Sequence, residues 1–339
     1  MEKRQNYTIP IVVMILLFGT ISFVTNLASP MGDILKNQFD IPNWQGTLGV
    51  FANFIAYAIM GIPAGRLLQR HGYKRTALIA VAVGFIGVGI QMLSGHVEVF
   101  AVYLLGAFIA GFSMCMLNTV VNPMLNRLGG GGNRGNQLIQ FGGTFNSLCG
   151  TAVIVITGLL IPQGIKNAQI SNTFPLIYTA LAVFALAFVV ILFTRIPEND
   201  PSAQSESKDI PLRSLFQFRH FVLGAIAIFI YVGVEVGTPN VLNKWLQNPD
   251  AIDLGNVNAE AVAGSVTGFY WLLMLVGRLV GGLVGAKVSA RRMLSITAMT
   301  AVALVLLAIF IPVSKTILFP GFDGGGFAMN AIPVSAALL

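Results

Sequence analysis

The chain has 339 residues, 55% of them hydrophobic and only 10% charged, with a mean hydropathy of +0.78. Soluble domains carry about 25% charged residues, so there is too little charge here to coat a water-facing surface. A cytosolic enzyme, a disordered tail and a coiled coil are excluded, and two cysteines, Cys115 and Cys149, are too few for a secreted disulfide scaffold.

Apolar stretches of about 20 residues, the length that crosses a bilayer, fall at 8–37, 46–69, 76–94, 99–126, 136–162, 174–194, 218–246, 261–285 and 293–312. The first follows Lys3-Arg4. Its apolar run Ile9–Ala28 exceeds the core of about 7–15 residues typical of a signal peptide, and no cleavage site follows, so it reads as an uncleaved span. Sixteen of the twenty Lys and Arg residues flank the connections on one side; Lys36, Lys166, Lys244 and Lys315 fall on the other. The positive-inside rule then puts the N-terminus in the cytoplasm. The net charge of +7 is accounted for by topology, and no nucleic-acid partner is expected.

Polar residues inside hydrocarbon are expensive and face other helices or a cavity. The first span carries Ser22, Asn26, Ser29, Asp33 and Asn37 at steps of three and four, one helical face, with Pro30 and Gly32 expected to weaken the helix locally. The fourth carries Asn118, Asn122 and Asn126; the fifth Gln137, Gln140, Thr144, Ser147 and Thr151. The seventh carries Tyr231, Glu235 and Thr238, with Asn240 and Asn243 beyond. The third, sixth and ninth spans lack such stripes and read as outer helices. Every third span, plus the fifth, is thus expected to line a water-accessible cavity. Amides can donate and accept bonds to neighbouring hydroxyls of a neutral polyhydroxylated substrate, and Tyr231, Tyr270 and Trp271 could offer ring faces to a sugar. Each amide is equally readable as interhelical glue. Asp33 and Glu235 favour a functional reading, although Arg278 is a possible structural partner for Glu235.

The Pro/Ser/acid-rich stretch Pro197–Pro211 reads as a cytoplasmic linker, giving an N-terminal bundle at 1–195, a linker at 196–217 and a C-terminal bundle at 218–339. Gly61-xxx-Gly65 before a basic loop recurs as Gly277-xxx-Gly281, 216 residues later, as a parallel repeat of two six-span halves requires. Only nine spans are complete. Ile332–Leu339 reads as the start of a tenth, so the second half is expected to be incomplete. Gly130–Gly135 fits G-x-G-x-x-G, but membrane helices rather than a strand precede it, and it reads as a turn. His71, His96 and His220 lack metal-ligand spacing, and no catalytic trio or nucleotide-hydrolysing motif is present. No enzyme, cofactor or metal is expected.

The run Gly61-xxx-Gly65-Arg66-Leu67-Leu68-Gln69-Arg70-His71-Gly72-Tyr73-Lys74-Arg75 resembles the loop signature of the major facilitator superfamily, with Gln69 where that signature has an acid. More narrowly, Gly32-Asp33-Ile34-Leu35, Asn118-Thr119-Val120-Val121-Asn122-Pro123, Thr144-Phe145-Asn146-Ser147, Tyr231–Gly237 and Tyr270-Trp271 through Gly277-Arg278 are similar to the fucose–proton symporter and glucose/galactose transporter family. The resemblance implies an all-α polytopic fold and sugar–proton symport by alternating access in the inner membrane, with Asp33 as the coupling carboxylate. Fucose-branch members have glutamate where this chain has Asn118, and an amide where it has Glu235. The expected site comprises Asp33 and Glu235 for coupling, and Asn26, Asn118, Asn122, Gln140, Asn146, Tyr231, Asn240 and Trp271 for the sugar. Gly61, Gly65, Arg70, Gly72, Lys74 and Arg75 form the expected switch loop. Sugar, proton and bilayer are the expected partners of a monomer. The choice of sugar and of H⁺ or Na⁺ stays open, as do a drug or metabolite exporter on the same fold and a sugar sensor without turnover.

Overall fold

The computed structural model describes residues 7–39, 48–160, 170–198, 216–248, 259–323 and 326–339, together with 42, 45 and 214. Its long helices are α1 (Thr8–Phe39), α2 (Leu48–Val97), α3 (Phe100–Leu128), α4 (Gly132–Leu160), α5 (Phe174–Phe193), α6 (Arg219–Leu246), α7 (Ala259–Val284) and α8 (Ala290–Phe310). A hairpin of β1 (Thr316–Asp323) and β2 (Gly326–Pro333) follows, then the short α9 (Val334–Leu338). Seven of the described helices are long and apolar enough to cross a membrane. At about 1.5 Å per residue, the 50 residues of α2 suffice for two crossings.

The second and third spans are two helices that meet at a kink inside the loop expected at residues 70–75, with no further residues between them. The helix turns at Gly72, whose φ of 76° and ψ of −179° lie outside the helical region. That conformation suits a residue without a Cβ. The new helix starts at once because the Thr76 hydroxyl donates to the Gly72 carbonyl at 2.7 Å. α1 runs unbroken through Pro30 and Gly32, against the local weakening expected there. Gly130, Gly131 and Gly132 all have positive φ and make the tight turn between α3 and α4.

The end of the chain also departs from expectation. Ile332 is paired with Ile317 in the antiparallel hairpin, and helix begins only at Val334. The sequence carried the signal in the apolar runs on either side of Asp323-Gly324-Gly325-Gly326, the pattern of a hairpin.

Contacts divide the chain into two compact units, Met1–Ser205 with Leu275–Ser289, and Glu206–Met274 with Ala290–Leu339. In the first, α2 packs most extensively on α3, and α1 on α4. Its core joins Met14, Leu17 and Leu27 of α1 to Val81 and Val88 of α2, Met114, Leu117 and Met124 of α3, and Ile177 and Phe184 of α5. Lipid is as apolar as leucine, so helices in a bilayer gain contact chiefly by close packing of small residues. The second unit has a smaller core of Leu242, Leu246, Val262, Ala263, Val266, Ile332 and Ala336, which seats the hairpin and α9 on α6 and α7. Phe193 and Phe229 are each 81% exposed and Phe310 79%. Outward aromatic side chains on helices whose backbone groups bond internally suit hydrocarbon as the surrounding solvent.

Candidate functional site

The polar face of α1 meets α4 along a line of small residues. A Cβ on Gly150 would lie 2.7 Å from Ser22 Oγ and 2.8 Å from Asn26 Nδ2, so glycine there lets the two helices touch through their polar groups. Asn26 Nδ2 donates to the Ser22 carbonyl at 2.8 Å and to Ser22 Oγ at 3.1 Å. One turn toward the N-terminus of α1, Asn146 Nδ2 of α4 donates to the Phe18 carbonyl at 2.8 Å. Nearby, Gly19 faces the Phe145 ring and Cys149. Asp33 belongs to α1, about two turns beyond Asn26; its side chain lies outside the described residues, as does that of Asn37.

Across the bundle, α2 and α3 share a second polar group. Asn118 Nδ2 donates to the Tyr57 hydroxyl at 3.0 Å, and Asn122 Nδ2 donates to the Asn118 carbonyl at 3.1 Å and its Oδ1 at 3.4 Å. Two members of the expected stripe on α3 are thus joined by hydrogen bonds, while the third, Asn126, is exposed and lies against Gly135. Tyr57, absent from the sequence-derived site, completes the group. A lone tyrosine hydroxyl at hydrocarbon depth was the available signal. Gln140 is half-buried on α4 and its carbonyl accepts from Thr144 Oγ1 at 2.9 Å.

The end of α7 packs with the same unit. Arg278 Nη1 donates to Ser147 Oγ at 2.8 Å and to the Gly143 carbonyl at 3.3 Å. Sequence reading considered Arg278 as a partner for Glu235; its acceptors on α4 were not foreseen.

In the second unit, Tyr270 of α7 donates its hydroxyl to the Glu235 main-chain carbonyl of α6 at 3.1 Å. The Trp271 ring stands edge-on to Tyr270 with centroids 5.5 Å apart. Asn243 Nδ2 donates to Thr267 Oγ1 at 3.1 Å. Tyr231 is exposed, and Asn240, also exposed, bonds back to the Val236 carbonyl at 2.7 Å.

The switch-loop residues Gly72 and Lys74 meet a partner that the motif does not contain. Glu198, just beyond α5, accepts the Tyr73 N–H at 2.7 Å on Oε2 and the Lys74 N–H at 2.8 Å on Oε1. A carboxylate across two free N–H groups at a helix start satisfies orphan donors and complements the helix dipole. Lys74 Nζ in turn donates to the Leu192 and Thr194 carbonyls at 2.8 and 3.0 Å, and Arg127 Nη2 to the Glu198 carbonyl at 3.2 Å. Glu198 thus brings a carboxylate to the turn from outside the motif. A Cβ on Gly72 would collide with that carboxylate. Gly61 and Gly65 have nothing close to the place of a Cβ. Arg70 and Arg75, both exposed, flank the same turn.

Bilayer-length helices enclosing neutral hydrogen-bonding groups define a polytopic membrane protein of the kind that carries polar solutes. The family model of the Major Facilitator Superfamily matches residues 11–339, and the chain belongs to that superfamily: it is a membrane transporter, not an enzyme. A glucose/galactose transporter of Brucella abortus is 30% identical over 322 residues, covering 93% of this chain and 75% of the relative. The L-fucose-proton symporter of Escherichia coli is 23% identical over 335 residues, 91% of this chain and 74% of that protein. The crystal structure of FucP in the outward conformation superposes with a TM-score of 0.77 at 22% identity, over 90% of this chain and 78% of that one.

Proposed function

We propose that the protein imports a hexose or deoxyhexose with a proton across the inner membrane by alternating access. The observation that carries this reading is the hydrogen-bonded group Tyr57–Asn118–Asn122 inside the bundle, in a superfamily member whose relatives include transporters named for glucose, galactose and fucose. Asn26, Gln140, Asn146, Tyr231, Asn240 and Trp271 supply further contacts to hydroxyls and ring faces. The two halves, 1–195 and 218–339, rock about that site, joined by a cytoplasmic linker at 196–217, with the N-terminus also cytoplasmic. Asp33 takes the proton that neutralises α1 and permits closure with sugar bound, while Glu235 holds hydroxyls or a second proton. Gly61, Gly65, Arg70, Gly72, Lys74 and Arg75 form the loop that resets with each cycle, and the protein works as a monomer.

The test is uptake of radiolabelled D-glucose, D-galactose and L-fucose into proteoliposomes, with and without an imposed pH gradient, in sodium-free buffer. Accumulation of one sugar above its outside concentration, abolished by an ionophore that dissipates the proton gradient, is expected. Uptake that requires Na⁺ would reassign the coupling ion; efflux of hydrophobic compounds without sugar movement would favour an exporter, and binding without flux a sensor.

A further inference from the structure

The direction of the hydrogen bonds around Tyr57 carries more than the presence of a polar group. Asn118 gives Nδ2 to the Tyr57 hydroxyl at 3.0 Å, so that oxygen acts as acceptor and its proton must go elsewhere. Asn118 is thereby tied across from α3 to α2 by a bond in which its Nδ2 is the donor.

The far side of Asn118 agrees with this direction. Asn122 Nδ2 points to Asn118 Oδ1 at 3.4 Å. Turning the Asn118 amide over would set NH₂ against NH₂ at Asn122. Asn122 is itself held in this orientation by its bond to the Asn118 main-chain carbonyl at 3.1 Å, so Asn118 presents Oδ1 to Asn122 and Nδ2 to Tyr57. An amide free to turn offers donor or acceptor to any ligand hydroxyl, whereas one held in a single orientation reads a single pattern.

We infer that Tyr57 is a positioning residue for sugar selection: it fixes the Asn118 carboxamide, and with it the donor and acceptor pattern that the site shows to the hydroxyls of a hexose. This rests on the proposed sugar-carrying function and adds a specificity-determining residue to it. Tyr57 acts through Asn118. The ring of Tyr57 remains a packing element of α2, and only its hydroxyl does the orienting.

The experiment is counterflow of D-glucose and its C4 epimer D-galactose, with L-fucose as a third arm, in proteoliposomes of the full-length protein. Tyr57→Phe keeps the ring and removes the hydroxyl. It should raise the apparent KM of the preferred sugar about tenfold, the effect of losing one well-placed hydrogen bond, leave Vmax within about twofold, and shrink the KM ratio between the epimers. Asn118→Ala and the double variant Tyr57→Phe/Asn118→Ala should be equally impaired, since Tyr57 has nothing to orient once Asn118 is gone. Unchanged KM and epimer ratio in Tyr57→Phe, a loss confined to Vmax, or losses that simply add to those of Asn118→Ala would overturn the inference. If Asn118→Ala raises KM while Tyr57→Phe does not, sugar transport stands and the inference alone falls. If the wild-type protein moves none of the three sugars, both fall together.

Discussion

The two compact units treat the same kinds of residue differently. In the first, amides reach between helices: Asn146 holds the Phe18 carbonyl of α1, and Asn118 holds Tyr57 of α2. Small residues bring the helices close enough for this, as at Gly150 against Ser22 and Asn26. In the second, Asn243 reaches Thr267 of α7 only at the packed end of α6, whereas Asn240 bonds back to its own helix at Val236 and is exposed, and Gly224, Gly233 and Gly237 of α6 have nothing near the place of a Cβ. Its core gathers at one end, where Leu242 and Leu246 meet Val262, Ala263 and Val266. An amide tied to a neighbouring helix is oriented before any ligand arrives; an amide bonded to its own turn holds no second helix in place. Residue type alone, read along a stripe, does not distinguish the two.

The sharpest way to break this contrast is a pair of glycine substitutions. Gly150→Leu drives a side chain into Ser22 and Asn26 and should abolish transport and lower the yield of folded protein, measured by size-exclusion chromatography in detergent. Gly224→Leu, in open space, should leave both close to wild type. Equal damage from the two would show that α1 and α4 do not depend on that contact. A smaller effect is expected at the turn of α2. Glu198→Ala removes the acceptor of two N–H groups at a helix start, where such caps are worth about 1 kcal/mol. It should lower the melting temperature by a few degrees, with Glu198→Gln, which keeps one acceptor oxygen, in between. The smallest effect belongs to Asn240→Ala, an exposed side chain bonded to its own helix, which should shift the melting temperature by less than one degree, against a clear drop for Asn146→Ala.

Much of the fold was legible because bilayer thickness imposes one length scale on every span. Nine apolar stretches correspond to the eight long helices among the described residues, with α2 holding two. The polar stripe of α3 was equally plain, since Asn118 and Asn122 stand one turn apart. What stayed hidden depends on contacts between distant residues. Tyr57 gains its meaning from Asn118, 61 positions away, and Glu198 from Tyr73, 125 positions away. No periodicity within a helix reports such pairs. The break expected at residues 70–75 is present at Gly72; its brevity was not legible, because the Glu198 carboxylate that caps the restarted helix at Tyr73 and Lys74 lies far off in sequence. The hairpin was missed because Ile332–Leu339 was taken as the start of a helical span, although the Gly-rich segment at 324–326 between two apolar runs matches a turn.

The most direct measurement compares two modes of transport in Asp33→Asn, which keeps the size of the side chain and fixes it neutral. Proton coupling through Asp33 predicts that uphill sugar accumulation driven by a pH gradient disappears, while sugar-for-sugar counterflow, which needs no deprotonation, survives at a measurable rate. Uphill accumulation by Asp33→Asn with the pH dependence of the wild type would contradict it and turn attention to Glu235.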